Sequence, residues 1–188
     1  VLAAAEPVVE IPPALYEAGT DGITPGVRKI RSQLAYVYKA AADKYKFCHH
    51  PSLIEFKGQL YCVWSNGRVG EDEPGQRLAL ATSRDAEVWT AASPLFSTQQ
   101  SAKYQQHVFV ASGLMLWQDK LVVFYTITPG KNFDAATALY FSESLDGKVW
   151  SDPQRITDGF FINPPVLLSG GRLVMGGEYV SEADRRKK

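Results

Sequence analysis

Two heptapeptides, SRDAEVW at 83–89 and SLDGKVW at 144–150, share the pattern S-x-D-x-x-x-W and lie 61 residues apart. A fixed-period repeat constrains a fold strongly, because each copy must bury its apolar face against the next. Upstream of each heptapeptide runs an alternating segment, RLALATS and ALYFSES, suited to a half-buried strand. IEFKGQLYCVW, MLWQDKLVVFY and LLSGGRLVMGG each read as strand, polar turn, strand, centred on Leu60, Leu121 and Leu173 at spacings of 61 and 52. A hairpin-rich, helix-poor unit of this length is the size of one four-stranded propeller blade. The expected fold is therefore all-β, a β-propeller of four-stranded blades, of which this chain covers about two and a half: 46–105, 106–160 and a truncated 161–188. Closing a propeller takes at least about four blades, so the chain reads as the first portion of a longer protein.

The S-x-D-x-x-x-W element has a physical task at the hairpin it follows. Ser and Asp side chains accept hydrogen bonds from nearby backbone N–H groups and close a turn, while the Trp folds back on the sheet. Asp85 and Asp146 are thus expected to form turns and not to catalyse.

Residues 1–45 read differently, as a loop segment that wraps the domain. EIPPALYEAGTDGITPGVRK is rich in Pro and Gly, and the following stretch fits either a short helix over Gln33–Tyr45 or an edge strand ending in a turn. VLAAAEP at the start resembles the close of a signal peptide, which points to a secreted or periplasmic protein.

Composition narrows the partners. With 45% hydrophobic and 12% aromatic residues the 188-residue chain can bury a core, and 20 basic residues balance 20 acidic ones. Nucleic acids and membrane surfaces reward a basic excess, so neither is expected as a partner. A hairpin turning at Lys57-Gly58 sets Cys48 near Gly67 and about five residues from alignment with Cys62; at about 3.3 Å per residue that is too far for a disulfide. Two separate thiols are expected.

HPSLIEFKGQLYCVWSNGR followed by the Asp-box-like repeats resembles the sialidase (neuraminidase) superfamily of six-bladed propellers, over about residues 46–178. Within it, CHHP, WSNGR and GEDEPGQR look closer to sialidase-like polysaccharide lyases, seven-bladed propellers of the rhamnose-glucuronate lyase kind. The resemblance implies a carbohydrate-active enzyme with an oligosaccharide or polysaccharide substrate and no required cofactor. Pro51 matches the family's proline, His49 or His50 stands where a sialidase carries the first arginine of its carboxylate-binding triad, and Asp72 falls near the expected general acid. Histidine for arginine is a chemical change, since arginine grips a carboxylate in a fixed fork whereas histidine moves protons near neutrality.

Three sets of residues follow as candidates. His49 and His50, at the start of a strand expected to line the channel, suit a base; His107 or Tyr104, in the matching part of the second repeat, suits an acid. Arg68 and Arg77 flank the acidic loop and suit a clamp on a sugar carboxylate, with Asn66, Gln76 and, in the third repeat, Asn163 hydrogen-bonding the sugar. Glu71, Asp72 and Glu73 have a further possible task, holding a cation or an arginine. No metal centre is expected from the histidines, because three or four ligands must converge and His49, His50 and His107 are the only three in the chain. The best reading is β-elimination at an acidic sugar, which needs a neutralised carboxylate, a base and an acid. The alternatives are sialidase-type hydrolysis with Asp72 as acid, and a propeller that binds glycans without cleaving them.

Overall fold

The structure, a computed structural model, describes residues 32–40, 44–96, 104–130, 135–178 and 180. The chain divides into two units, Val1–Leu34 and Ala35–Lys188, and the strands lie in the second. No helix among the described residues is long and apolar enough to cross a membrane.

Two four-stranded antiparallel sheets carry the two complete repeats. The first runs β1 (Phe47–Phe56), β2 (Gln59–Gly67), β3 (Arg77–Ser83) and β4 (Ser93–Pro94); the second runs β5 (Val108–Trp117), β6 (Lys120–Thr128), β7 (Ala138–Ser144) and β8 (Gln154–Asp158). A third hairpin, β9 (Val166–Leu167) with β10 (Leu173–Val174), turns at Gly170-Gly171. These are two complete propeller blades and part of a third. Each sheet buries one face against the next, and the largest core joins Tyr61, Val63 and Leu78 of the first blade to Phe109, Leu121, Val123 and Tyr125 of the second.

The repeat extends to the bonds between blades. Ser65 Oγ accepts the Ala111 N–H at 2.8 Å, and Thr126 Oγ1, 61 residues on, accepts the Phe161 N–H at 3.0 Å. Both Asp boxes close as their side chains dictate. Asp85 Oδ1 accepts the N–H groups of Glu87 and Val88 at 2.9 and 2.8 Å, and Asp146 Oδ1 those of Lys148 and Val149 at 2.8 and 2.9 Å. These bonds hold both carboxyls below the usual aspartate range.

Register assigns the two ends of the first blade. Phe56 pairs with Gln59 and Leu60 with Ser83 at the Asp-box end, whereas Phe47 pairs with Gly67 and Asn66 with Arg77 at the other. The start of β1 and the 68–76 connection therefore share a rim opposite the Asp boxes.

Two sequence expectations change. Between His49 and Ser52 the β1–β2 register shifts by one residue, so Cys48 faces Asn66 and not Gly67. A β-bulge inserts an extra residue there; both thiols are free, Cys48 exposed and Cys62 buried. The helix or edge strand expected over 33–45 is neither in the described part of that stretch. Tyr38 instead packs its ring 5.6 Å from that of Trp64 and donates its hydroxyl to the Tyr45 carbonyl at 2.7 Å. Burying an aromatic ring on the sheet outweighs the few hydrogen bonds a short helix would close.

Candidate active-site rim

Gln76 organises the rim. It is 1% exposed at the last position before β3. Its Nε2 donates to the Phe109 carbonyl and to Asp72 Oδ1, both at 3.0 Å, while its Oε1 accepts the Asp72 N–H at 3.0 Å. One backbone acceptor and one backbone donor thus determine which way the amide points. Its oxygen therefore faces His49 Nε2, 3.1 Å away, and that nitrogen must carry the hydrogen.

The other face of the His49 ring looks at Glu71, with Nδ1 3.2 Å from Oε1, and Asp72 Oδ1 lies 3.9 Å from Nε2. The His50 ring lies 4.3 Å from that of His49, tilted by 49° to it. Successive residues of a regular strand point to opposite faces, yet these two converge because His50 occupies the left-handed region, φ 51°, inside the bulge. Burial, and then the neighbouring imidazole, pushes the His50 pKa below the ordinary histidine value.

His107 enters through its backbone, its carbonyl accepting the Gly75 N–H at 3.0 Å, and its own N–H donates to the Tyr104 carbonyl at 3.0 Å. The Tyr104 ring packs edge-on to His107 and to Phe109. These two residues shape the wall behind the loop that presents Asp72.

The arginines form a second cluster beside the first. Arg77 donates Nε and Nη2 to Asn66 Oδ1 at 3.2 and 3.1 Å, and its guanidinium lies 3.7 Å from the centroid of the Tyr45 ring. Asn66 is fully buried and donates its Nδ2 to the Phe47 carbonyl at 3.3 Å, so its oxygen is aimed at Arg77. Burial lowers the Arg77 pKa, but a guanidinium stays charged throughout the working range. Exposed Arg68 sits 5.2 Å from the same tyrosine ring. Tyr45, Arg68, Pro74, Gly75, Arg77, Gln105 and Gln106 line an open cavity of about 610 Å³.

The structure thus brings His49, His50, Asp72 and Gln76 into one cluster and Asn66, Arg68 and Arg77 into the adjoining one, with His107 and Tyr104 behind. Asn163 is exposed on the connection before β9. The sequence reading missed Tyr45, Gln105 and Gln106. Tyr45 carried no signal, sitting in the stretch read as helix or strand; the glutamines directly precede His107 and were open to inspection.

The family model of the BNR repeat-like domain matches residues 58–187. Among solved structures, a Hadza microbial sialidase superposes with a TM-score of 0.61 at 16% identity, over 79% of this chain and 36% of that one. A family 117 glycoside hydrolase of the marine bacterium Zobellia galactanivorans gives 0.56 at 13%, over 76% and 52%, and a GH43 protein of Bacillus licheniformis 0.51 at 15%, over 74% and 29%. The chain spans about half of these neighbours' length or less. No curated protein matches it in sequence.

Proposed function

We propose, from the premise that the chain belongs to the BNR repeat-like domain family, that its rim cleaves a glycosidic bond to an acidic sugar, a uronate or a sialate. The observation that carries this is the contiguity of two arrangements across Gln76 and Arg77. On one side stands a carboxylate held beside histidine; on the other a roomy polar cavity carries two guanidiniums, two side-chain amides and a tyrosine ring. Arginines aimed into such a cavity suit a sugar carboxylate, the amides suit hydroxyls, and the aromatic ring offers a face for a pyranose.

In this reading Arg68 and Arg77 hold the substrate carboxylate, Asn66 keeps Arg77 in place, and Asp72 delivers a proton to the leaving oxygen. Gln76 anchors Asp72 through its backbone N–H and its carboxylate together, so the acid is positioned before substrate arrives. A sialidase and a family 117 glycoside hydrolase among the fold neighbours support glycan cleavage. A polymeric glycan and the leader-like opening VLAAAEP favour a secreted or periplasmic setting.

A second reading, β-elimination, rests on a different atom. His50 Nδ1 has no hydrogen-bond partner, and in the tautomer that carries its hydrogen on Nε2 it would take the proton beside a uronate carboxylate.

Incubation of the protein with sialosides and uronate polysaccharides, following ultraviolet absorbance and free reducing sugar together, separates these readings. Reducing sugar without absorbance supports hydrolysis with Asp72 as acid. Absorbance growth, lost in His50→Asn, supports elimination. Binding with neither signal would overturn cleavage and leave a glycan-binding propeller.

A further inference from the structure

We propose that His49, His50 and Glu71 form a binding site for one divalent transition-metal ion of the zinc class. The proposal goes beyond glycan cleavage; it is compatible with the Asp72 reading and competes with the His50 one, and its test reads metal binding and not cleavage.

The geometry comes first. One donor atom from each of the three residues lies within 4.8 Å of the others. Gln76 obliges His49 Nε2 to carry a hydrogen, so Nδ1 is the ring nitrogen that offers a lone pair to a cation. Glu71 Oε1 lies 3.2 Å from that nitrogen. The Nδ1 atoms of His49 and His50 are both buried without a hydrogen-bond partner. Buried polar atoms left so are rare and call for a reason. A single cation among the three groups satisfies all of them.

The backbone points the same way. The second blade carries the corresponding bulge between Ala111 and Gly113, and there the positive φ, 115°, falls on Gly113, two positions beyond the counterpart of His50. In the first blade the left-handed residue is His50, where a side chain makes the conformation costly. That cost turns two consecutive imidazoles onto one side of the strand, which a regular strand cannot do. The His49 side chain is 11% exposed and Glu71 56%, so the site would be walled by the histidines and open to solvent on the loop side.

The donor set selects the ion. Two imidazoles and a carboxylate suit zinc or its transition-metal neighbours, whereas calcium and magnesium take oxygen cages. Three protein ligands leave the fourth tetrahedral position for water or a substrate oxygen. Gln76, accepting the hydrogen of the ligating ring, is the outer partner that orients such a histidine. With the ion in place the His50 lone pair is occupied, which excludes His50 as a base and leaves Asp72, outside the ligand set, to handle the proton.

Calorimetric titration of chelator-stripped protein with zinc chloride tests the site, with cobalt(II) absorption reporting coordination. The expected result is one ion per chain and a rise in Tm on loading. Affinity should fall about tenfold or more in His49→Ala, in His50→Ala and in Glu71→Gln, the last on an exposed loop where folding is not at risk. His107→Asn should bind as the parent does. Absence of a saturable site, retention of full affinity by Glu71→Gln and His50→Ala, or loss of binding in His107→Asn alone would each overturn the proposal.

Discussion

Gln76 Oε1 sits 3.1 Å from His49 Nε2 across 27 residues of chain, and that one contact ties the start of the first strand to the loop that carries Asp72. The same amide reaches Phe109 in the second blade, so a single buried glutamine joins two blades and the rim cluster.

Gln76→Leu should therefore affect stability and site together. It keeps the volume but strands the Phe109 carbonyl and the Asp72 N–H, at a cost of about 2 kcal/mol. Urea unfolding should show a lower midpoint with an unchanged slope. A midpoint equal to that of the parent would mean that water replaces the amide.

The two Asp boxes differ at three positions, and at the one that turns the chain Ala86 stands against Gly147, both at positive φ, 64° and 73°. Gly147 is pressed against the Tyr61 phenol of the first blade, whose hydroxyl donates to the Asp146 carbonyl, so a methyl group there would overlap the ring. Gly147→Ala should destabilise by more than about 1 kcal/mol, whereas Ala86→Gly relieves a left-handed alanine and should be neutral or slightly stabilising. Thermal melts of the two single variants should shift in opposite senses or leave Ala86→Gly unmoved.

Acid should loosen both boxes. The folded-state pKa values of Asp85 and Asp146 are depressed by backbone N–H donors, so their contribution is present above the ordinary aspartate value of about 4 and is lost as pH falls through the folded values. In Asp85→Asn with Asp146→Asn the dependence of Tm on pH should flatten below about pH 4. An unaltered slope would assign the acid sensitivity to other carboxylates.

Arg77→Lys should separate charge from geometry. Lysine retains the positive charge but loses the fork on Asn66 and the planar stack on Tyr45. Affinity for an acidic oligosaccharide should drop roughly tenfold, about 1.4 kcal/mol, with neutral oligosaccharides unaffected. Equal loss for both would make Arg77 a support of the cavity wall and not a clamp.

The blades were legible in the sequence because their causes are local. Period-two alternation specifies a strand, a polar pair specifies its turn, and the Ser and Asp of each box find their hydrogen-bond partners within a few residues. Repetition at 61 residues then implied stacking, and the Ser65 and Thr126 bonds show it carried through to the contacts between blades. The rim was legible only in part. His49, His50, Asp72 and Arg77 stand out by residue type, but the alternation that finds strands places adjacent histidines on opposite faces.

Sequence by itself thus determined an all-β chain of repeated hairpins with Asp-box turns, since each rests on groups near one another along the chain. Tertiary structure alone decided that a left-handed His50 turns two imidazoles to one side, that Gln76 dictates the tautomer of His49, and that Tyr45 lies under Arg77. Those outcomes depend on groups brought together from distant parts of the chain, whose pairing follows from which buried polar atoms must be satisfied at once.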